Sequence, residues 1–449
     1  MRSLFNKVIN TGDARSVIVK KNIIGSIIIK GISIVVSFMV VPITLGYVSS
    51  DIYGIWLTLS SIMLWLNFFD VGFTLGLKNK LAEALAHKDF ERGKKLVSTT
   101  YFMMIAIFVP LCFIFEGIVP FINWASFLNI NESFNDDIRL ALYVLIACFS
   151  LQMILNVLTA VVAAYQKVAL SSAFPVIGHL FSLLTIYILT KTAPPSLVGL
   201  SISLSVFPVL VLLVASFILY SKSFIKVAPS VKFIQFSYIK DLFSLGAKFF
   251  LIQIQGIVLF QTTNILITNI TGPEDVTSYN IAYKMLSAVM MFYSIMLNPL
   301  WPAFTDAYAK KDFIWMKIVY VKMIKVYIVF ALLILVIIVC SPVLYSVWIR
   351  DRATVPFVMT VFVGVYLMIN TWDYLQVQLI NGVGKIKLQS YITMIGLILH
   401  IPFSLLLGRN IGAYGVVISM TLINIIYCLV FTIQINKIIN QKATGIWVK

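Results

Sequence analysis

"EALAHKDF" spans residues 83–90, and "DAYAKKDF" spans 306–313. Five of the eight positions are identical, and Glu83 against Asp306 keeps the carboxylate. Both are polar, helix-forming stretches in a chain dominated by apolar residues. A match of eight decides nothing alone; its weight comes from what flanks each copy. Upstream, "IYGIWLTLSS" (52–61) stands before the first and "SYNIAYKMLS" (278–287) before the second, with Tyr53 opposite Tyr279. Helix-weakening residues follow in both, "DVGFTLG" (70–76) and "NPLWPAF" (298–304). Downstream, "YQKVAL" (165–170) resembles "VGKIKL" (383–388). Shared membrane composition explains single matches. It does not explain matches in the same order, so the chain reads as a duplication.

The class follows from composition. Of 449 residues, 60% are hydrophobic and 11% charged, and the mean hydropathy is +0.99. Soluble domains carry about a quarter charged residues, so this chain is built for lipid. A net charge of +17 raises the possibility of nucleic acid. Its basic residues are scattered between apolar runs rather than gathered on a solvated domain, which excludes that partner. Cys112, Cys148, Cys340 and Cys428 stand alone inside apolar runs and offer neither a disulfide framework nor metal-ligand spacing.

A crossing needs about 20 apolar residues. Twelve runs qualify, at 22–47, 51–75, 96–121, 139–165, 168–190, 197–220, 245–270, 278–302, 318–341, 356–380, 386–407 and 412–436. The first follows a basic stretch but is too long for a cleavable signal, so it is expected to be an anchor. With the N-terminus inside, 26 of the 34 Lys and Arg fall on the cytoplasmic side and 5 outside, a strong positive-inside bias. The expected protein is all-α and multi-pass, with twelve transmembrane helices and both termini cytoplasmic. Its domains are a six-helix lobe over 1–222, a cytoplasmic linker over 223–244 and a second six-helix lobe over 245–449. Six crossings is an even number, so the halves insert in the same orientation, as parallel repeats with a substrate path between them.

Catalytic and nucleotide signatures are missing from the sequence. "NGVGK" (381–385) has the wrong spacing for a phosphate loop and no Ser or Thr after the Lys. A transporter without an ATPase domain draws on an ion gradient, the membrane potential or the substrate gradient. No metal or other cofactor is expected, and no enzymatic activity.

Intramembrane ionisable residues are then the candidate sites. Lys30 lies about 12 Å into the first run at about 1.5 Å per residue, and Lys284 is about six residues into the eighth. An unpaired lysine near the bilayer centre costs at least about 2.5–3.5 kcal/mol, so both are expected to face a wet cavity and hold an anionic group. Snorkelling to the interface is the structural reading of each. Lys248 is nearer its interface, and both readings stay open there. Asp70 and Asp373 are ion-coupling candidates, Asp70 equally a helix-end residue; His179 and His400 are the remaining candidates, as proton sites or hydrogen-bond donors.

Residues 30–102 add a resemblance. "VPITLGYVSSDIYGIW", "FFDVGFTLGLKNKLAEA" and "KDFERGKKLVSTTYF" resemble the N-terminal portion of Wzx-type polysaccharide-export flippases. That family is grouped with MATE exporters and lipid II flippases, and the resemblance implies their two-lobed, twelve-helix fold. It implies a flippase in the bacterial inner membrane, with membrane lipid around it. The implied substrate is an undecaprenyl-diphosphate-linked oligosaccharide, moved to the periplasmic leaflet for O-antigen, capsule or similar polysaccharide. Polymerase or export proteins are possible partners. Under this reading Lys side chains hold the diphosphate, and Tyr283, Trp301 and Trp372 are candidates to stack on sugars, packing and interface anchoring being the commoner use of membrane aromatics. Two other classes stay open: a MATE-type or major-facilitator exporter of small molecules, and a membrane glycosyltransferase or polymerase, which the short external loops disfavour.

Overall fold

The computed structural model describes residues 14–65, 70, 72–240, 242, 261–297 and 300–448, and all regular secondary structure among them is helical. In the first half lie α1 (Ala14–Leu45), α2 (Ser50–Trp65), α3 (Phe73–Ala86) and α4 (Phe90–Ile118). They are followed by α5 (Asn135–Leu155), α6 (Val157–Ala164), α7 (Val168–Thr192) and α8 (Leu197–Ser221). A helix described over 261–271, α9, opens the second half. Then come α10 (Pro273–Leu297), α11 (Leu300–Ala309), α12 (Phe313–Trp348), α13 (Phe357–Val383), α14 (Lys387–Ile411) and α15 (Ala413–Ile439).

The two copies of the opening phrase fold alike. Each ends one helix, turns through a lysine in the left-handed region and starts the next from an aspartate cap. Lys88 has φ 57° and Lys311 has φ 59°. The amide of Asp89 donates to the Ala84 carbonyl and that of Asp312 to the Ala307 carbonyl, both at 2.9 Å. The Asp89 carboxylate accepts from the Arg92 amide at 2.9 Å, and Asp312 accepts from Trp315 at 3.0 Å. Such caps satisfy a helix-end amide that otherwise has no partner. The second pair of matched stretches behaves similarly, since Gln166 (φ 60°) and Gly384 (φ 77°) both turn through the left-handed region.

Packing repeats as well. In the first half α8 packs on α5 and α7, and α3 on α4 and α6. In the second α15 packs on α13 and α14, and α11 on α12 and α13. Tyr53 and Tyr279, paired by sequence, are both buried.

Nine helices among the described residues are long and apolar enough to cross a membrane. Their outward faces are greasy: Ile314, Val329, Val339, Val343 and Val347 of α12 are all well exposed, as a lipid-facing stripe requires. Three of the twelve expected crossings are not among the nine. Those expected at 51–75 and 245–270 lie partly outside the described residues. The one expected at 278–302 is helix α10 as far as Leu297, and it too lies partly outside the described residues.

The chain divides into two compact units, one of residues 1–48, 63–127 and 131–254, the other of 49–62, 128–130 and 255–449. This differs from the expected cut at 222 and 245. Most of α2, residues 50–62, is grouped with the second unit because it is fastened there. At Gly54, for instance, an added Cβ would overlap the Pro273 carbonyl oxygen, so only glycine permits that approach. Residues 223–240, expected as a linker, pack onto the first unit.

Candidate functional site

The polar chemistry of the second unit gathers in two places. One is a ladder joining α2, α9 and α10. The Asn264 side-chain amide donates to Ser61 Oγ at 2.8 Å, and Asn264 Oδ1 accepts from Asn280 at 2.9 Å. Asn280 also donates to the Val276 carbonyl at 2.8 Å, Thr58 bonds Thr268, and Thr277 Oγ1 donates to the Ser50 carbonyl at 2.7 Å. Lys284 sits one helical turn beyond Asn280. It is half-buried, and no carboxylate among the described residues pairs with it. Tyr283 packs tilted on Tyr279, with ring centroids 5.9 Å apart.

The other is a belt along α13. Asp373 is 8% exposed, and its Oδ1 has no hydrogen-bond partner. Tyr366, Tyr427 and Cys428 are close enough to feel its charge. Around it, Tyr320 donates to Gln376 Oε1 at 3.2 Å while Gln376 Nε2 has no partner, and Asn370 donates to Asn424 at 3.1 Å. A buried carboxyl group with an unfilled oxygen has room to accept a proton or another hydrogen-bond donor. Among the described residues no ion pair joins Lys284 to Asp373.

The other candidates are placed as follows. Lys30 is exposed on α1, with no ion pair among the described residues. Lys248 lies outside the described residues, as does the side chain of Trp301. Asp70 serves a helix end: its carboxylate accepts from Thr74 Oγ1 at 2.6 Å and the Thr74 amide at 3.3 Å, at the start of α3. His179 is exposed on α7, whereas His400 is buried in α14, its Nδ1 3.3 Å from Ser404 Oγ and its Nε2 without a partner. Trp372 donates to Thr432 at 2.9 Å and packs edge-on against Tyr327, so its ring is tied into the helix packing. No group of three or more His, Cys, Asp or Glu suited to a metal occurs among the described residues.

Sequence reading weighed charges and missed the neutral ladder. Its trace was there: Thr58 and Ser61, and Asn264 and Thr268, recur at three- and four-residue spacing, which aligns side chains on one helix face.

Known proteins place this architecture. The chain is 25% identical over 418 residues to a Salmonella typhimurium protein named as an O-antigen transporter, covering 89% of this chain and 92% of that one. It is 22% identical over 291 residues to a Yersinia pseudotuberculosis protein named as an O-antigen export protein, covering 63% of this chain and 64% of that one. Among solved structures, an inward-facing multidrug resistance MATE family transporter of the MOP superfamily superposes with a TM-score of 0.74 at 14% identity, over 91% of this chain and 96% of that one. A MOP superfamily transporter from Pyrococcus furiosus gives 0.64 at 14% identity, over 97% and 98%. The MatE family matches residues 250–406, and the Polysaccharide biosynthesis protein family matches 19–308. With the larger part of its length matched, this multi-pass bacterial membrane protein belongs to the Polysaccharide biosynthesis protein family and has the fold of the MATE transporters.

Proposed function

We propose that the protein is a flippase that carries an undecaprenyl-diphosphate-linked oligosaccharide from the cytoplasmic to the periplasmic leaflet of the bacterial inner membrane. In this reading it has twelve crossings in two lobes, with 223–244 joining them and both termini cytoplasmic. The relatives named for O-antigen transport support the substrate class. The observation that carries it is Lys284, an unpaired, half-buried cation on the most polar long helix of an apolar unit. A diphosphate is the anion such a lysine suits, since charge-assisted bonds to phosphate are short and strong. The neighbouring amides and hydroxyls suit sugars, while the polyprenyl tail stays in lipid. Lys30 is the second proposed contact.

Alternating access of the two lobes would move the headgroup, and Asp373 is the proposed site of the coupling proton or cation, with His400 the nearest alternative. Asp70 is committed to its helix end, and His179 is exposed.

Binding tests the reading. Lys284→Gln keeps length and hydrogen-bonding capacity but removes the charge. Affinity for a lipid diphosphate should fall about ten- to a hundredfold, while affinity for the neutral polyprenol stays unchanged. Equal affinity of both proteins for the diphosphate would remove Lys284 from the site. A second reading, a MATE-type exporter of small molecules, is favoured by the MatE match over 250–406. It predicts uptake of a soluble cationic compound into inverted vesicles, with no effect of lipid diphosphate.

A further inference from the structure

Residues 221–240, "SKSFIKVAPSVKFIQFSYIK", contain four lysines and no carboxylate. Lys222, Lys226, Lys232 and Lys240 are all exposed, and so are Ile225 (59%), Val231 (84%) and Phe236 (65%). Large apolar side chains this open to water are costly in a soluble loop. Yet the stretch is firmly held. Phe224 and Val227 are buried in the core of the first unit. The Ser230 amide donates to Ser98 Oγ at 3.0 Å, and the Gln235 amide to Thr99 Oγ1 at 3.0 Å. Lys94 lies 4.4 Å over the Phe233 ring, and Lys226 lies 4.6 Å over Phe90.

These anchors set its depth. Ser98 and Thr99 are two turns into α4, about 12–13 Å along its axis at about 1.5 Å per residue. Phe236 then meets Phe102 edge-on, with centroids 5.5 Å apart. Phe102 shares a helix face with Val109 and Phe113, which are exposed on the lipid-facing side of α4. Phe236 therefore sits at the head of an exposed apolar stripe on a helix long and apolar enough to cross a membrane. Whatever covers that stripe reaches Phe236, and Lys232 and Lys240 flank it in sequence, both exposed.

We propose that residues 222–240 form an interfacial strap that binds the anionic phospholipid surface of the leaflet on its own side, cytoplasmic in the orientation given above. Ile225, Val231 and Phe236 enter the acyl boundary, and Lys222, Lys226, Lys232 and Lys240 contact phosphates. A buried apolar face plus a basic cluster is the combination that gives composition-dependent membrane binding. The proposal is independent of the transported substrate.

The test uses the full-length protein, with its four cysteines changed to alanine, in nanodiscs. Nitroxide labels are placed through Val231→Cys, Phe236→Cys and, as a control in the acidic loop, Ser133→Cys. In discs containing phosphatidylglycerol the strap labels should be more accessible to oxygen than to a nickel chelate, and Ser133→Cys the reverse. Nickel access at 231 and 236 matching the control would overturn the proposal and leave the strap open to a soluble acidic partner. Changing the four lysines to Gln should abolish the difference between phosphatidylglycerol and phosphatidylcholine discs; an unchanged difference overturns the role of charge. Should the cysteine-free chain not fold, trypsin supplies the second reading on the unaltered chain. Cleavage after Lys226 and Lys232 should be about tenfold or more slower in the anionic discs, since one lysine near such a surface gives about a fivefold preference. Equal cleavage rates in both discs overturn it.

Discussion

At the scale of single residues, charge inside the second unit is sparse and specifically placed. Asp373 is buried among tyrosines with one oxygen unfilled, and no basic side chain among the described residues neutralises it. If it binds the coupling ion, Asp373→Asn should abolish the dependence of transport on the pH or sodium gradient in reconstituted vesicles and leave substrate affinity within about twofold. Retained gradient dependence would make Asp373 structural and move attention to His400. Depth within an apolar run made Lys30, Lys284 and Asp373 candidates alike, because intramembrane charge is costly, but it did not foresee that Lys30 is exposed while Asp373 is buried. Depth could not separate Asp70 from them. Its role depends on Thr74 four residues on, and a cap becomes visible only when the helix start is known. Asn264, Asn280 and Ser61 escaped because a neutral amide in an apolar run carries no charge signal; only their alignment across three helices makes them a group.

At the scale of elements, the repeated phrase is a helix–turn–helix corner used twice. Asp89 and Asp312 each accept from an amide three residues on, and each follows a left-handed lysine. Asp89→Ala and Asp312→Ala should each destabilise the protein by about 1 kcal/mol, measured by thermal unfolding in detergent. Lys88→Gly or Lys311→Gly should be neutral to slightly stabilising, because glycine adopts a positive φ without strain. A large loss at one aspartate and none at the other would break the equivalence of the corners. The local signal was strong because a cap and a left-handed turn are written in adjacent residues. Helix α10 was legible in sequence as an apolar run, whereas the polar ladder on it was not, because Ser61 and Asn264 come to it from other helices.

At the scale of the whole molecule, the chain repeats one corner and one packing pattern, as parallel repeats inserted in one orientation would. Reporters fused after residues 87 and 311 should both read cytoplasmic, and those at 132 and 274 periplasmic; opposite readings at 87 and 311 would exclude parallel repeats. The repeated corner was legible in sequence because both copies spell the same turn and cap. The grouping of residues 49–62 with the second unit was not, since it depends on Gly54 meeting Pro273 and on hydrogen bonds to residues far along the chain. The central claim, movement of a lipid diphosphate between leaflets, is tested most directly in vesicles carrying a fluorescent polyprenyl-diphosphate oligosaccharide in one leaflet. Arrival in the other leaflet is read by a membrane-impermeant glycosidase. The account predicts saturable, protein-dependent arrival, slowed about tenfold or more by Lys284→Gln and absent for the neutral polyprenyl glycoside. Arrival no faster than in protein-free vesicles, from protein that exports a soluble cation in the same preparation, would contradict it.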